Sequence, residues 1–539
     1  MSTFSELIDF TRSSTGTYLD SVVYGDELVT NGTFDTDSDW DKQNGWSITN
    51  GEAVYATGTG REILQISIPT VAGKTYKVEF DITSRVAGAV GAYSLESVQN
   101  SATYKSTVGP YERFLTATGS VMALRIRTST VSANLSIDNV SLVEVTSTAG
   151  GTPLLRTAGT NEPRLEYDAS GQPLGLLIEE QRSNILSYSE AFDNAYWGKV
   201  GIATSPSGPV PPDGSGNAVD LLAIGTSGAY VARSNLGSAG QGYTASVFAK
   251  AGTHDIIRIS NQSSGTSGGW FDLTNGTTLS SNGANNVSRI EYVGNGWYRC
   301  SRYFDSWINT NNSLLFGVSL LDGSTQSATG DTVSLWGAQL ELGAFPTSYI
   351  PTSGSTVTRN QDVCTLPLER YHHNAQSYTM YAEFQSSPQV PSDFDRVWVL
   401  SNDDSPSDYV QLQYNTTNKM QVYSRYNSSG NGSISPIEVT DTTNKVALKV
   451  DGTVMRSASN GVLQSGTLSN AVEDFTKLTI GASDSISIPL NSHIKVIQSY
   501  AKGLTDAQLI ELTKPSSSPT MSLTFDGQAT SELVEGLHD

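Results

Sequence analysis

Lys74-Thr75-Tyr76-Lys77-Val78-Glu79-Phe80-Asp81-Ile82 is the stretch that settles the fold class. Apolar and polar side chains alternate along it without a break. Successive side chains of a strand point to opposite faces, so Tyr76, Val78, Phe80 and Ile82 turn to a core while Thr75, Lys77, Glu79 and Asp81 turn to water. The pattern recurs at 243–249, with Tyr243, Ala245, Val247 and Ala249 inward, and at 378–384, with Tyr378, Met380, Ala382 and Phe384. Shorter alternating segments lie near 396–400, 409–414, 419–424, 445–450 and 477–480. A helix signal stands near the end, at Leu504–Leu512, where Thr505 and Gln508 have capping-box spacing. The reading is all-β: multiple antiparallel β-sandwich modules of jelly-roll type in tandem.

Composition points the same way. The chain has 539 residues, room for about three or four domains. Hydrophobic residues make up 37% and charged residues 16%, too apolar for disorder and too poor in apolar side chains for a helical enzyme. Its 50 glycines suit many short strands joined by turns. The 53 acidic residues against 32 basic ones give a net charge of −21, which repels phosphate backbones and anionic lipid, so neither nucleic acid nor a membrane is expected as partner. The two cysteines, Cys300 and Cys364, fit assembly in a reducing cytoplasm. The sequence begins without the basic-then-apolar pattern of a signal peptide, and no apolar run is long enough for a bilayer.

Two stretches read as diverged copies of one module. Each opens with a Phe-Asp and a later Asp-Trp or Tyr-Trp (Phe34-Asp35 and Asp39-Trp40; Phe192-Asp193 and Tyr196-Trp197). Each has a central Gly-Tyr strand (Gly73 to Tyr76; Gly240 to Tyr243) and closes on an alternating strand with an acidic end (Leu135 to Glu144; Val333 to Leu342). The expected division is an N-terminal segment 1–27, an inserted module 28–146, a connector 147–189, a second module 190–360, a third 361–514, and a linker and tail 515–539.

Catalytic signals are thin. None of His254, His372, His373, His493 and His538 has metalloprotease spacing, and His372-His373 cannot share a strand face. Gly265-Thr-Ser267-Gly-Gly269 matches G-x-S-x-G but leads into a strand-like run, Trp270-Phe-Asp-Leu, where a nucleophile elbow needs a helix. Glycoside hydrolysis uses two carboxylates roughly 5 to 9.5 Å apart. Glu179-Glu180 and Asp403-Asp404 are adjacent pairs that read as turn or surface positions. No enzyme activity is expected.

Three blocks are more specific: Phe10-Thr-Arg12-Ser-Ser-Thr-Gly-Thr-Tyr18; Pro163-Arg164-Leu-Glu-Tyr167-Asp168; and Gly175-Leu-Leu-Ile-Glu179-Glu-Gln-Arg182-Ser-Asn184. They resemble a signature of bacteriophage fibre and other virion proteins, here split by an inserted module. Gly337-Ala-Gln-Leu-Glu-Leu-Gly-Ala-Phe345 to Pro351 resembles the end of the jelly-roll module that follows it in such proteins. The first module, through Asn31-Gly-Thr-Phe34 and Ile137-Asp138-Asn139-Val140, resembles jelly-roll carbohydrate-binding modules. The third is similar to concanavalin/laminin-G-like lectin domains through its closing strand and Leu504-Thr-Asp-Ala-Gln-Leu509.

The resemblance implies a virion protein, a tail or head fibre, that adheres to host-surface polysaccharide alongside other virion proteins, as a homo-oligomer and by analogy a trimer. The N-terminal segment and the connector would attach it or build its trunk. Sugars present apolar C–H faces ringed by hydroxyls, which flat aromatic rings and amides receive. Candidate carbohydrate contacts are Trp40, Trp46 and Tyr55 in the first module and Trp398, Tyr409, Tyr414 and Tyr423 in the third. Trp40 and Trp197 recur at matching places, which also suits packing, and Trp297 and Trp336 read as core. No cofactor is required, but modules of this resemblance often hold a structural calcium, with Asn31, Asp35 and Asp138 as its oxygen ligands. The rival readings are a glycan depolymerase or glycosidase tailspike and a ligand-free decoration protein.

Overall fold

A computed structural model describes residues 9–515 apart from 98–99, 103, 107, 148–150, 216, 227, 262–267, 282–285, 308–312, 320–321, 369–375, 387–394, 403–404, 416–418, 438–442, 472–474 and 484–488, together with 522–525 and 531–532. His372, His373, His538, Ser267, Asp403 and Asp404 lie outside the described residues. Strands dominate, and nearly all pair antiparallel; a capped helix spans Asp506–Thr513. The chain forms two compact units, one of Ser21–Thr152 with Pro209–Asn217, the other of Met1–Asp20, Pro153–Gly208 and Ala218–Asp539.

The smaller unit is a two-sheet sandwich. One sheet runs Asp41–Lys42, Glu62–Pro69, Val121–Thr128, Val90–Tyr93. The other centres on Asn134–Ser147, which pairs with Thr75–Ala87 and Glu52–Ala56. The deciding stretch behaves as its alternation requires. Tyr76, Val78, Phe80 and Ile82 are all within 2% of full burial and join Trp40, Tyr55 and Leu135 in one core.

The larger unit holds two sandwiches. In the first, the sheet Ile202–Ser205, Val219–Ala223, Thr332–Leu342, Tyr243–Ala251, Trp297–Phe304, Val287–Gly294 packs on a second six-stranded sheet. The second sandwich is built on the core strands Ser377–Gln385, Thr443–Asp451 and Ser492–Tyr500 facing Arg396–Asn402, Ser405–Tyr414 and Met420–Tyr426.

Here alternation understates burial. Thr244, Ser246 and Phe248, on the reverse face of Tyr243–Ala251, are also buried. Phe248 enters a separate cluster with Leu19, Leu155, Trp297, Trp336 and Tyr349 that covers this face. Likewise Tyr381, behind Ser377–Gln385, is covered by Leu504 and Leu509 at the C-terminal helix. These strands therefore bury side chains on both faces, among them Glu383, whose charge is met by Lys445 and Lys495.

The two repeated modules share local architecture. Trp40 Nε1 donates to the Asn31 carbonyl at 3.0 Å, and Trp197 Nε1 donates to the Tyr188 carbonyl at 3.0 Å, each nine residues back. Phe34 tilts on Trp40 at 5.3 Å and Phe192 on Trp197 at 5.1 Å. The Tyr76 hydroxyl accepts from Val71 N at 2.9 Å and the Tyr243 hydroxyl from Ser238 N at 3.0 Å, each five residues back. One folding solution is used twice.

Of the N-terminal segment and connector, for which the sequence suggests a trunk or attachment role, the parts up to Asp20 and from Pro153 onward belong to the larger unit. Asp9–Thr11 pairs with Val363–Pro367, and Pro173–Ile178 pairs with Ser492–Tyr500, so both supply strands to the last sandwich. Phe10, Tyr167, Leu176 and Ile178 sit in its core. At Gly175 (φ +119°) a Cβ would stand 2.5 Å from the Ile494 carbonyl oxygen, so this approach admits only glycine.

Candidate functional site

The aromatic candidates divide by burial. Trp40 (5% exposed), Trp46 (6%), Tyr55 (0%), Trp398 (1%) and Tyr414 (1%) are core side chains, which corrects their assignment as sugar contacts: a ring packed on both faces has none to offer a sugar. Trp46 stacks edgewise on Tyr55 at 5.2 Å and donates to the Arg61 carbonyl. Tyr409 and Tyr423 are half-buried neighbours on adjacent strands, with ring centres 6.1 Å apart. They are the two of the seven that keep an accessible edge.

The calcium candidates lie in and beside one turn. The Val140 amide donates to the Gly32 carbonyl at 2.9 Å, which brings the 31–35 loop to the strand carrying Asp138. One oxygen of each already serves a turn: Asn31 Oδ1 accepts from Thr36 N, Asp35 Oδ2 from the Thr33 hydroxyl at 2.8 Å, and Asp138 Oδ1 from Asn139 N at 2.7 Å. Among the described residues no group of three or more His, Cys, Asp or Glu could hold a metal.

The three signature blocks meet in a buried ion cluster within the larger unit. Arg12 bonds Asp362 at 2.9 Å, Arg164 bridges Asp362 and Glu179 (2.7 Å to the latter), and Arg359 stands 3.4 Å from Glu179. All five are within 6% of full burial, which corrects the surface reading of Glu179. Ser348 N and Oγ each donate to Glu179 at 2.7 Å. Burial pushes the Glu179 carboxyl up, but Arg359, Arg164 and the Ser348 bonds together outweigh it and hold the group well below the usual carboxylate range.

Above this cluster opens a cavity of about 460 Å³, bordered by Glu166, Glu291, Arg299, Phe345, Asn491 and His493. Three distant segments build it. Glu166 lies opposite Gly175 in the connector hairpin, His493 opposite Leu177 in the neighbouring strand, and Glu291 opposite Arg299 in the preceding sandwich. His493 Nε2 is 2.6 Å from Glu166 Oε2, and Leu19 N donates to Glu166 Oε1 at 2.9 Å. Arg299 donates to the Thr347 carbonyl at 2.6 Å and the Ser246 hydroxyl at 3.1 Å. Glu291 is open to cavity solvent yet enclosed by protein mass. That partial desolvation, then the Glu166 charge, raises its pKa against the pull of Arg299 and His493.

A second hollow of about 730 Å³, bordered by Thr277, Thr278, Ser288 and Arg289, shares Glu291, Arg299 and Pro346 with the first. The two run together as one groove.

No family model matches the chain, and no curated protein matches it. Among solved structures, the CBM40 module of the Ruminococcus gnavus IT-sialidase, bound to α2,3-sialyllactose, is 16% identical over 26% of this chain and 84% of its own, with a TM-score of 0.23. An SAP-like pentraxin from Limulus polyphemus is 13% identical over 32% of this chain and 85% of its own, with a TM-score of 0.24. The tandem CBM22 domains of Paenibacillus barcinonensis Xyn10C are 9% identical over 59% of this chain and 98% of their own, with a TM-score of 0.20. At such overlap no ligand is assigned by likeness; the all-β architecture rests on the chain's own sheets.

Sequence reasoning passed over Glu166, Glu291 and His493 as site residues. They are far apart in the chain and share no spacing. The one available signal was that Glu166 lies inside the Pro163–Asp168 signature block.

Proposed function

We propose that this protein is a phage virion fibre protein that holds host-surface glycan in the groove above its buried ion cluster. The observation that carries the reading is the cavity itself. Its volume of about 460 Å³ lies in the range of small-ligand sites. Its lining joins apolar surface from Leu174, Phe345 and Pro346 to hydrogen-bonding groups of Asn491, Glu291 and His493, the mixture a pyranose needs. The virion assignment rests on the resemblance of the Arg12, Arg164 and Glu179 blocks to phage fibre proteins.

The geometry favours holding over cleaving. Glycoside hydrolysis uses two available carboxyl groups. Both oxygens of Glu179 are taken by Arg164 and Ser348, and both of Glu166 by Leu19 N and His493. Among the described groups of the cavity, that leaves Glu291 as the acid with free oxygens. A single site of this kind binds weakly, and a symmetric oligomer, which we propose to be a trimer, multiplies weak contacts into adhesion.

The test is a glycan array and host-cell adsorption with the full chain. Binding is expected, with a loss of about ten-fold or more for Leu174→Trp, which puts a bulky ring into the cavity. An array silent for neutral and charged glycans alike, or reducing sugar released from host polysaccharide, overturns the reading.

A further inference from the structure

The groups around the groove are unequally spent. The Arg299 guanidinium already serves Thr347 and Ser246, the Glu166 carboxylate serves Leu19 and His493, and Glu179 serves the ion cluster. Glu291 has no hydrogen bond or ion pair among the described residues, although it stands where both hollows meet. The Glu291 carboxylate is open to the groove with both oxygens unbonded; the Glu166 charge works against it, and Arg299, opposite it in the strand pair, works for it without bonding it. The partner that such free oxygens accept is a cation or a strong donor. The chain's net charge of −21 draws cations toward such a site and repels anions from it.

Resting on the glycan reading above, we propose that the groove selects an amino sugar whose free ammonium group pairs with Glu291. The neighbouring Glu166 carboxylate adds negative field at the same point. Phe345, Pro346 and Leu174 receive the apolar face of the ring. The second hollow, lined by hydroxyls of Thr277, Thr278 and Ser288, receives the next unit of the chain through its own hydroxyls.

The test uses two probes that differ only in acetylation, the β-1,4-linked tetramers of glucosamine and of N-acetylglucosamine, titrated calorimetrically against the full chain near neutral pH. The glucosamine tetramer is expected to bind about ten-fold tighter or better, the size of one partly desolvated charge pair. Glu291→Gln is expected to erase the difference between the two tetramers while leaving the melting temperature in place, and Glu291→Asp to keep part of it. Equal affinities, a preference for the acetylated probe, a preference that survives Glu291→Gln, or no binding of either probe overturns the proposal. The glycan reading itself falls only if the wider array is silent, so the two failures are distinct.

Discussion

Glu179 sits at the centre of the larger unit's buried arginine cluster. It lies under Arg164, Arg359 and Ser348, and its neighbour Asp362 takes Arg12 and Arg164. Removing one member of a buried pair strands the others, which costs about 3–5 kcal/mol. Glu179→Gln keeps the shape and removes the charge, so chemical denaturation is expected to show a loss of that order. The pH dependence has a definite sign. The folded-state pKa is depressed, so the stabilisation is complete above the unfolded value of about 4.3 and is lost as pH falls toward the folded one. Wild type should lose stability in acid along this arm, and Glu179→Gln should lose less. An identical acid profile for the two proteins would show that the cluster does not hold Glu179 ionised.

The elements were legible wherever one face met water. Thr75–Ala87 folds with the inward residues its alternation requires, and the helix at Asp506–Thr513 carries the capping box that Thr505 and Gln508 announce, with Thr505 N donating to Gln508 Oε1 at 2.9 Å. Alternation was blind where both faces are covered, as along Tyr243–Ala251, because a second buried face carries Thr, Ser or Phe as readily as a wet one. It was equally blind to aromatic rings: Trp46 and Tyr55 have the chemistry of sugar platforms but spend it on packing and backbone carbonyls, and Trp398 spends it on packing in the core. The groove escaped because Glu166, Glu291 and His493 come from three strands whose pairing no local spacing encodes. Two measurements test elements directly. Thr505→Ala removes the N-cap acceptor and should cost about 1 kcal/mol, read as faster amide exchange along 506–513 with little change in the strands. Gly175→Ala forces a methyl group against the Ile494 carbonyl and should destabilise the connector hairpin, read as lost protection at 173–178. Unaltered exchange at that hairpin would show that the close approach is not required.

At the scale of the molecule, Ser21–Thr152 belongs to the smaller unit and the chain on either side of it to the larger one. Asp20 and Pro153 both belong to the larger unit, and Arg156 bonds Asp20 at 2.8 Å while Glu166 accepts from Leu19, so the chain leaves and re-enters that unit at neighbouring points. Chain termini that close together need little linker, and the entropy of closing a short loop is small. Replacing 21–152 with a short Gly-Ser linker should therefore leave the groove intact, because every residue bordering it lies in the larger unit. The expected result is an unchanged affinity for any glycan bound at Glu291, with a cooperative unfolding transition retained. Pro209–Asn217 groups with the smaller unit, so the one local change expected is faster proteolysis there. A deletion protein that unfolds would show that the larger unit does not close alone, and one that keeps its fold but loses the ligand would mean that the smaller unit's sandwich takes part in recognition. The adhesive surface would then have to be sought on the smaller unit, whose own core has already consumed Trp40, Trp46 and Tyr55.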